Sequence, residues 1–142
     1  MGMTRTEITL KNVRDEGYAK GGHIKEEEVR AANVTAVVDT GSMSLVITEE
    51  LREKLGLGLK GEKIVKTANG QRVTCQVTEA VDIIWKNRDM ILQALVVPGA
   101  EDVLLGAIPL EGMDLMVNPV TQELVGIHGD REEFILYSFS QI

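Results

Sequence analysis

Residues 37–47, VVDTGSMSLVI, are the stretch on which the reading of the fold turns. Asp39, Thr40 and Gly41 stand between two runs of aliphatic and β-branched residues, where a buried strand is expected. An ionisable carboxylate at the end of an apolar strand carries a desolvation cost unless its neighbours or its task offset it. A local account is an Asx turn, in which Asp39 caps the backbone of Gly41 or Ser42. The other account is chemical, with Asp39 kept for a task that makes its desolvation cost worthwhile.

Outward from this stretch the apolar period stays near two, so the chain is expected to be mainly β. TEITLKNV (6–13) alternates as a strand does, and EEEVRAANVTAVV (26–38) runs from a solvated charged end into the apolar strand that reaches Asp39. After Asp39, SLVI reads as a strand and TEELREKLGLG as a helix, with Thr48 as N-cap, acids in the first turn and Gly56 or Gly58 as the stop. KIVKTANGQRVTCQV is a hairpin whose Asn69-Gly70 pair predicts a type I′ turn, with positive φ at both central positions. A second hairpin turns at Lys86 to Arg88, with Trp85 as a strand-end packing residue. EDVLLGAIPLEGM then brings an apolar strand into Gly106 and a helical turn around Pro109. NPVT and GIHGD are turns, and EEFILYSFSQ is a terminal strand.

Length and composition narrow the function. The 142 residues are expected to form a single domain, 1–142, large enough for one core. A net charge of −7 disfavours a nucleic-acid partner, and no apolar run is long enough to suggest a membrane span. Cys75 is the only cysteine, so no internal disulfide forms; it reads as a small packing residue. His23 and His128 lack the paired spacing of a metal site. The opening residues show no signal-peptide core, so the expected compartment is cytoplasmic. Gly2 and Thr6 do match an N-myristoylation pattern; the plainer expectation is that Met1-Gly2 is a cloning remnant before a native start at Met3.

The pattern strand, glycine, helix occurs twice, at TAVVDTG and at EDVLLGAIPLEGM. Asp39-Thr40-Gly41-Ser42 followed by Leu104-Leu105-Gly106 resembles the retropepsin-like aspartic proteases, and LLGAIPLEGMDLMVNPVTQELVG is more similar to their cellular, prokaryote-type members than to the viral ones. The resemblance is strongest over residues 29–127. It implies a closed acid-protease barrel with one or two short helices, working as a homodimer on a peptide or protein substrate with no cofactor and no metal. It also implies roles. Asp39, Thr40 and Gly41 would form the catalytic loop, the Thr40 hydroxyl bonding across to the partner loop. Ser42, Ala68, Asn69 and Gly70 would contact substrate, residues 66–72 forming a flap with Asn69-Gly70 at its tip. Gly106 would let its strand pass close behind the Asp loop, and TEITLKNV and FILYSF would form a sheet between subunits.

One Asp-Thr-Gly per chain is half of what the chemistry of such enzymes requires, because two carboxylates share one proton there. A second copy must supply the other. Viral members carry an acid where Met43 stands and an arginine where Ala107 stands; a contact between Met43 and Ala107 is the expected replacement for that brace. Two functions are therefore carried forward: an aspartic endopeptidase, and a dimeric binding or assembly module on the same fold with weak or no proteolysis.

Overall fold

A computed structural model of the chain describes residues 3–133. Within it the alternating runs become strands β1 (Arg5–Asn12), β2 (Ala31–Val38), β3 (Leu45–Ile47), β4 (Leu59–Lys66), β5 (Arg72–Trp85), β6 (Arg88–Val96), β7 (Val103–Leu105), β8 (Leu115–Val117) and β9 (Leu124–Gly126). The helices are α1 (Val13–Lys20), α2 (Glu49–Leu55) and α3 (Ala107–Gly112). Six strands lie in the order β1-β2-β7-β3-β6-β5, and β5 returns to pair with β1, so the sheet closes into a barrel and leaves those strands no free edge. The expected mainly β, closed barrel is thus the fold of the chain.

Period two explains the interior. Ile8 and Leu10 of β1, Ala36 of β2, Leu45 and Ile47 of β3, Val81 and Ile83 of β5, Ala94 of β6 and Leu105 of β7 are all buried in one core cluster. α2 closes one side of it through Leu51 and Leu55. Its ends are those expected: the Thr48 side chain accepts from Leu51 N–H at 3.1 Å, and Gly56 ends it in the left-handed conformation.

Three differences from the expectations have local causes. Helix α1, additional to the two expected, has few apolar residues, so its period is invisible. Its cap is nonetheless written in the chain. Asn12 accepts from Asp15 N–H at 3.0 Å while its own amide donates to Leu55 O at 2.8 Å, tying α1 to the end of α2. The hairpin joining β4 to β5 is not a type I′ turn. Gly70 has φ 83°, but Asn69 is not among the residues with positive φ; Gly70 N–H donates to Thr67 O, so Ala68 and Asn69 are the central pair. Asn69 takes a side-chain role instead, accepting from the Thr67 hydroxyl and from Gln71 N–H. Finally, β8 and β9 form a separate two-stranded sheet around the expected NPVT turn. The Glu26–Glu28 run is an exposed 3-10 turn, as a solvated charge run should be. The terminal strand read at residues 134–142 lies outside the described residues.

Candidate active site

β7 is inserted between β2 and β3, parallel to the first and antiparallel to the second. The chain that leaves β2 at Val38 must therefore cross the end of β7 before it returns as β3, and residues 39–44 are that crossing. Backbone hydrogen bonds fix it. Asp39 N–H donates to Leu105 O at 3.0 Å, continuing the ladder between β2 and β7, and Ser42 N–H donates to Asp39 O at 3.1 Å. From the other side Gly106, Ala107 and Ile108 donate their N–H groups to Ser44 O, Ser42 O and Met43 O at 3.0, 2.8 and 2.9 Å. N–H groups at a helix start have no partner inside the helix, and here the start of α3 supplies the brace of the loop.

Gly106 is where the close approach is decided. A Cβ there would stand 2.5 Å from both Ser42 O and Ser44 O and 2.7 Å from Ser44 N, which are backbone atoms that cannot rotate away. Main-chain bonds thus hold the loop against the start of α3, and Met43 is 71% exposed beside them.

Asp39 itself is half-buried, with Thr40 and Gly41 exposed beside it. One carboxylate oxygen, Oδ1, accepts from Gly41 N–H at 3.0 Å. The Asx turn is therefore present, and it occupies only one of the two oxygens. Among the described residues no other side chain donates to Asp39, and the Thr40 and Ser42 hydroxyls make no hydrogen bond. What the loop presents is a positioned carboxylate with an unused oxygen and two unused hydroxyls nearby, on a surface open to a second body. Two surface clefts, one between β2, α2 and the segment before β7 and one on the outer wall of β1, do not include Asp39 among their walls.

Ala68, Asn69 and Gly70 sit together at the tip of the ribbon formed by β4 and β5. β5 pairs with β6 only from Gln76 onward, so the ribbon leaves the barrel. The single chain thus brings Asp39, Thr40, Gly41 and Ser42 together with Gly106, and no hydrogen bond among the described residues ties the tip residues to them.

Two charged groups carry no sequence signal of their place in the fold. Arg88 of β6, 1% exposed, donates to Met113 O, Asp114 O and Gly129 O and so fastens the β8–β9 sheet to the barrel. Burial opposes ionisation of Asp114, but the bonds from His128 and from Glu133 N–H win and lower its pKa; His128 Nδ1 lies 2.7 Å from Asp114 Oδ1. Asp82 of β5 is 7% exposed and its Oδ1 finds no donor. Burial first, then the hydrogen bond and charge of Glu16, then Asp89, push its pKa up to about 7. Arg88 lies in a turn stretch that reads as surface, so its burial is unsignalled. Asp82 shares the outward mark of Asp39, a carboxylate among aliphatic residues, and that mark alone does not separate the two. Cys75 is buried, as expected of a packing residue, and burial raises its thiol pKa.

With this geometry in place, comparisons with known proteins align with it. A family model described as aspartyl protease matches residues 24–108, more than half of the chain and including both the Asp39 loop and Gly106. Among solved structures the chain is similar to EIAV protease complexed with the inhibitor HBY-793, with 18% identity and a TM-score of 0.56 over 78% of this chain and 86% of that one. A likeness at that identity bears on the fold. No curated protein matches the chain.

Proposed function

The chain belongs to the aspartyl protease family, and from that premise we propose that it is an endopeptidase whose carboxylate pair forms between two copies, each contributing one Asp39. The observation that carries this reading is the Asp39 loop: one Asp-Thr-Gly per chain, clamped by backbone on the barrel side and with a carboxylate oxygen left unused on the open side. A two-fold axis beside the loop brings the two carboxylates into contact, which is the isologous arrangement a homodimer requires. Like charges about 3 Å apart cannot both ionise, so the pair holds one proton. The ionised member then takes a proton from water as that water attacks the peptide carbonyl, and the protonated member donates to the carbonyl oxygen.

Gly41 leaves the approach to Asp39 free of side chain, which suits an extended substrate backbone. Ser42 and the ribbon tip at Ala68, Asn69 and Gly70 are the proposed substrate contacts, the ribbon closing over the bound segment and excluding water. The decisive experiment combines assembly with activity. Sedimentation should give a dimer, the purified protein should cleave members of a peptide library in mildly acidic solution, and Asp39→Asn should abolish cleavage. A monomer that still cleaves, or a dimer whose Asp39 residues are far apart, overturns the shared dyad. A dimer that binds peptides without cleaving any points to the binding module instead.

A further inference from the structure

The outer part of the β4–β5 ribbon is cationic in a chain that is acidic as a whole. Residues 59–74 hold four cationic side chains, Lys60, Lys63, Lys66 and Arg72, and one acid, Glu62. The rest of the chain holds eleven cationic and twenty-one acidic residues. Glu62 is engaged by the Gln76 amide at 3.1 Å, and Lys60 is near enough to Glu79 to help lower the pKa of that acid. Lys63, Lys66 and Arg72 form no ion pair among the described residues, and residues 134–142 carry no Asp or Glu.

Register makes the arrangement costly. Lys66 and Arg72 stand directly opposite each other at the last pair before the turn, and like charges in that position destabilise a hairpin. Alternation puts them on one face with the pair Ile64 and Thr74, and Ile64 is 71% exposed there. The outer edge of β4 has no strand partner among the described residues, leaving a row of backbone groups for an extended segment to pair with. Lysines on an edge strand commonly serve to prevent aggregation, which requires charge of either sign. That role does not account for two cations set face to face.

We propose that the β4–β5 ribbon selects acidic peptides, with Lys66 and Arg72 as the residues that read the negative charge of the segment lying against them. The selection rests on the peptidase reading, since it names the substrate class of that site. Carboxylates flanking the bound segment relieve the repulsion between Lys66 and Arg72, so the ribbon orders best over an acidic ligand. Exposed charges are largely screened beyond about 8 Å at physiological salt, so these local cations act on a bound peptide although the whole chain is acidic.

The test compares fluorescein-labelled peptides of one sequence with Glu, Gln or Lys at the flanking positions. Binding is read by anisotropy on the Asp39→Asn protein, and cleavage on the wild type. The Glu peptide is expected to bind about five-fold more tightly than the Gln peptide at low salt, the scale of two exposed ion pairs, and the difference should fade at high salt. The double reversal Lys66→Glu with Arg72→Glu keeps the edge charged and the like-charge pair in place, and should invert the order so that the Lys peptide binds best. Equal binding of the Glu and Gln peptides, or a preference that survives the reversal, overturns the proposal. If the wild type cleaves nothing, the peptidase reading fails, and the anisotropy order still decides the charge selection.

Discussion

Two aspartates interrupt aliphatic strands in this chain, Asp39 in VVDTGS and Asp82 in AVDIIW, and the barrel treats them oppositely. Asp39 stands where β2 ends, half-buried, with one oxygen bound by Gly41 N–H and the other unused. Asp82 stands in mid-strand, covered from the α1 side by Glu16, with Asp89 of the adjacent β6 nearby and an Oδ1 that no donor reaches. Its cross-strand partners are Lys11 on β1 and Ile91 on β6. The residues that follow decide the outcome. Thr-Gly lets the chain turn and lift the first carboxylate out of the sheet, whereas Ile-Ile keeps the second in the ladder. A carboxylate becomes a tool where backbone donors position it and solvent reaches it, and a liability where neighbouring acids surround it.

The contrast predicts opposite consequences for the same substitution at the two sites. Asp39→Asn is expected to lower the rate of peptide cleavage about a thousand-fold or more, as loss of an acid–base partner does, while leaving thermal stability nearly unchanged. Asp82→Asn should do the reverse, changing stability and sparing the rate. The ratio of cleavage rates between the two single variants is the measurement, and similar rates would remove the distinction. Next in size is the support of the Asp39 loop. Gly106→Ala forces a methyl group against Ser42 O and Ser44 O, and should cost about 3 kcal/mol or more in denaturant unfolding. A small cost would mean that the crossing at β7 is looser than its hydrogen bonds indicate.

Stability against pH sharpens the other side. The folded-state pKa of Asp82, about 7, lies above its ordinary value of 3.8. Between those values the folded chain keeps a proton that the unfolded chain has released, so the contribution of Asp82 to stability falls as pH rises from about 4 to about 7 and is level outside that range. Asp82→Asn removes the dependence and should stabilise the protein by about 2 kcal/mol at neutral pH, with little effect in acid. Urea unfolding of both proteins at about pH 5 and about pH 8 checks the sign. An Asn variant that is less stable at the higher pH would show that the Asp82 carboxylate has a partner after all.

The barrel is legible in the sequence because its signals are local. Period-two runs, the Thr48 cap and the two glycine units each act over a few residues, and each appears where the sequence places it. The loop at Asp39 is legible for the same reason. What escapes depends on atoms far apart in the chain. The brace of the loop by Ala107 and Ile108 uses main chain, which no side-chain pattern reveals. Arg88 finds its three carbonyls 25 to 41 residues away, and Asp82 meets Glu16 across the packing of α1 on β5. The turn at Asn69-Gly70 departs from type I′ although its residues suit that type, because Asn69 can satisfy the loop with its side chain without adopting positive φ.

The smallest expected effect separates depth from company as the cause of the Asp82 shift. Glu16 lies in the first turn of α1, where a negative charge favours the helix by about 0.3–1 kcal/mol. The same charge, together with the hydrogen bond between the two carboxyls, ranks behind burial in raising the pKa of Asp82. Glu16→Gln therefore relieves Asp82 and weakens α1 by comparable amounts, and overall stability near neutral pH should move by less than about 1 kcal/mol. The titration is where the substitution shows. Burial remains, so the midpoint of Asp82, followed by the NMR shift of its carboxyl carbon, should fall from about 7 without reaching the ordinary value of 3.8. The span of pH over which stability declines narrows with it, its upper end moving down. A midpoint that stays where it was would remove Glu16 from the shift and leave burial and Asp89 as its causes, so that the acid on α1 would not be what sets Asp82 apart from Asp39.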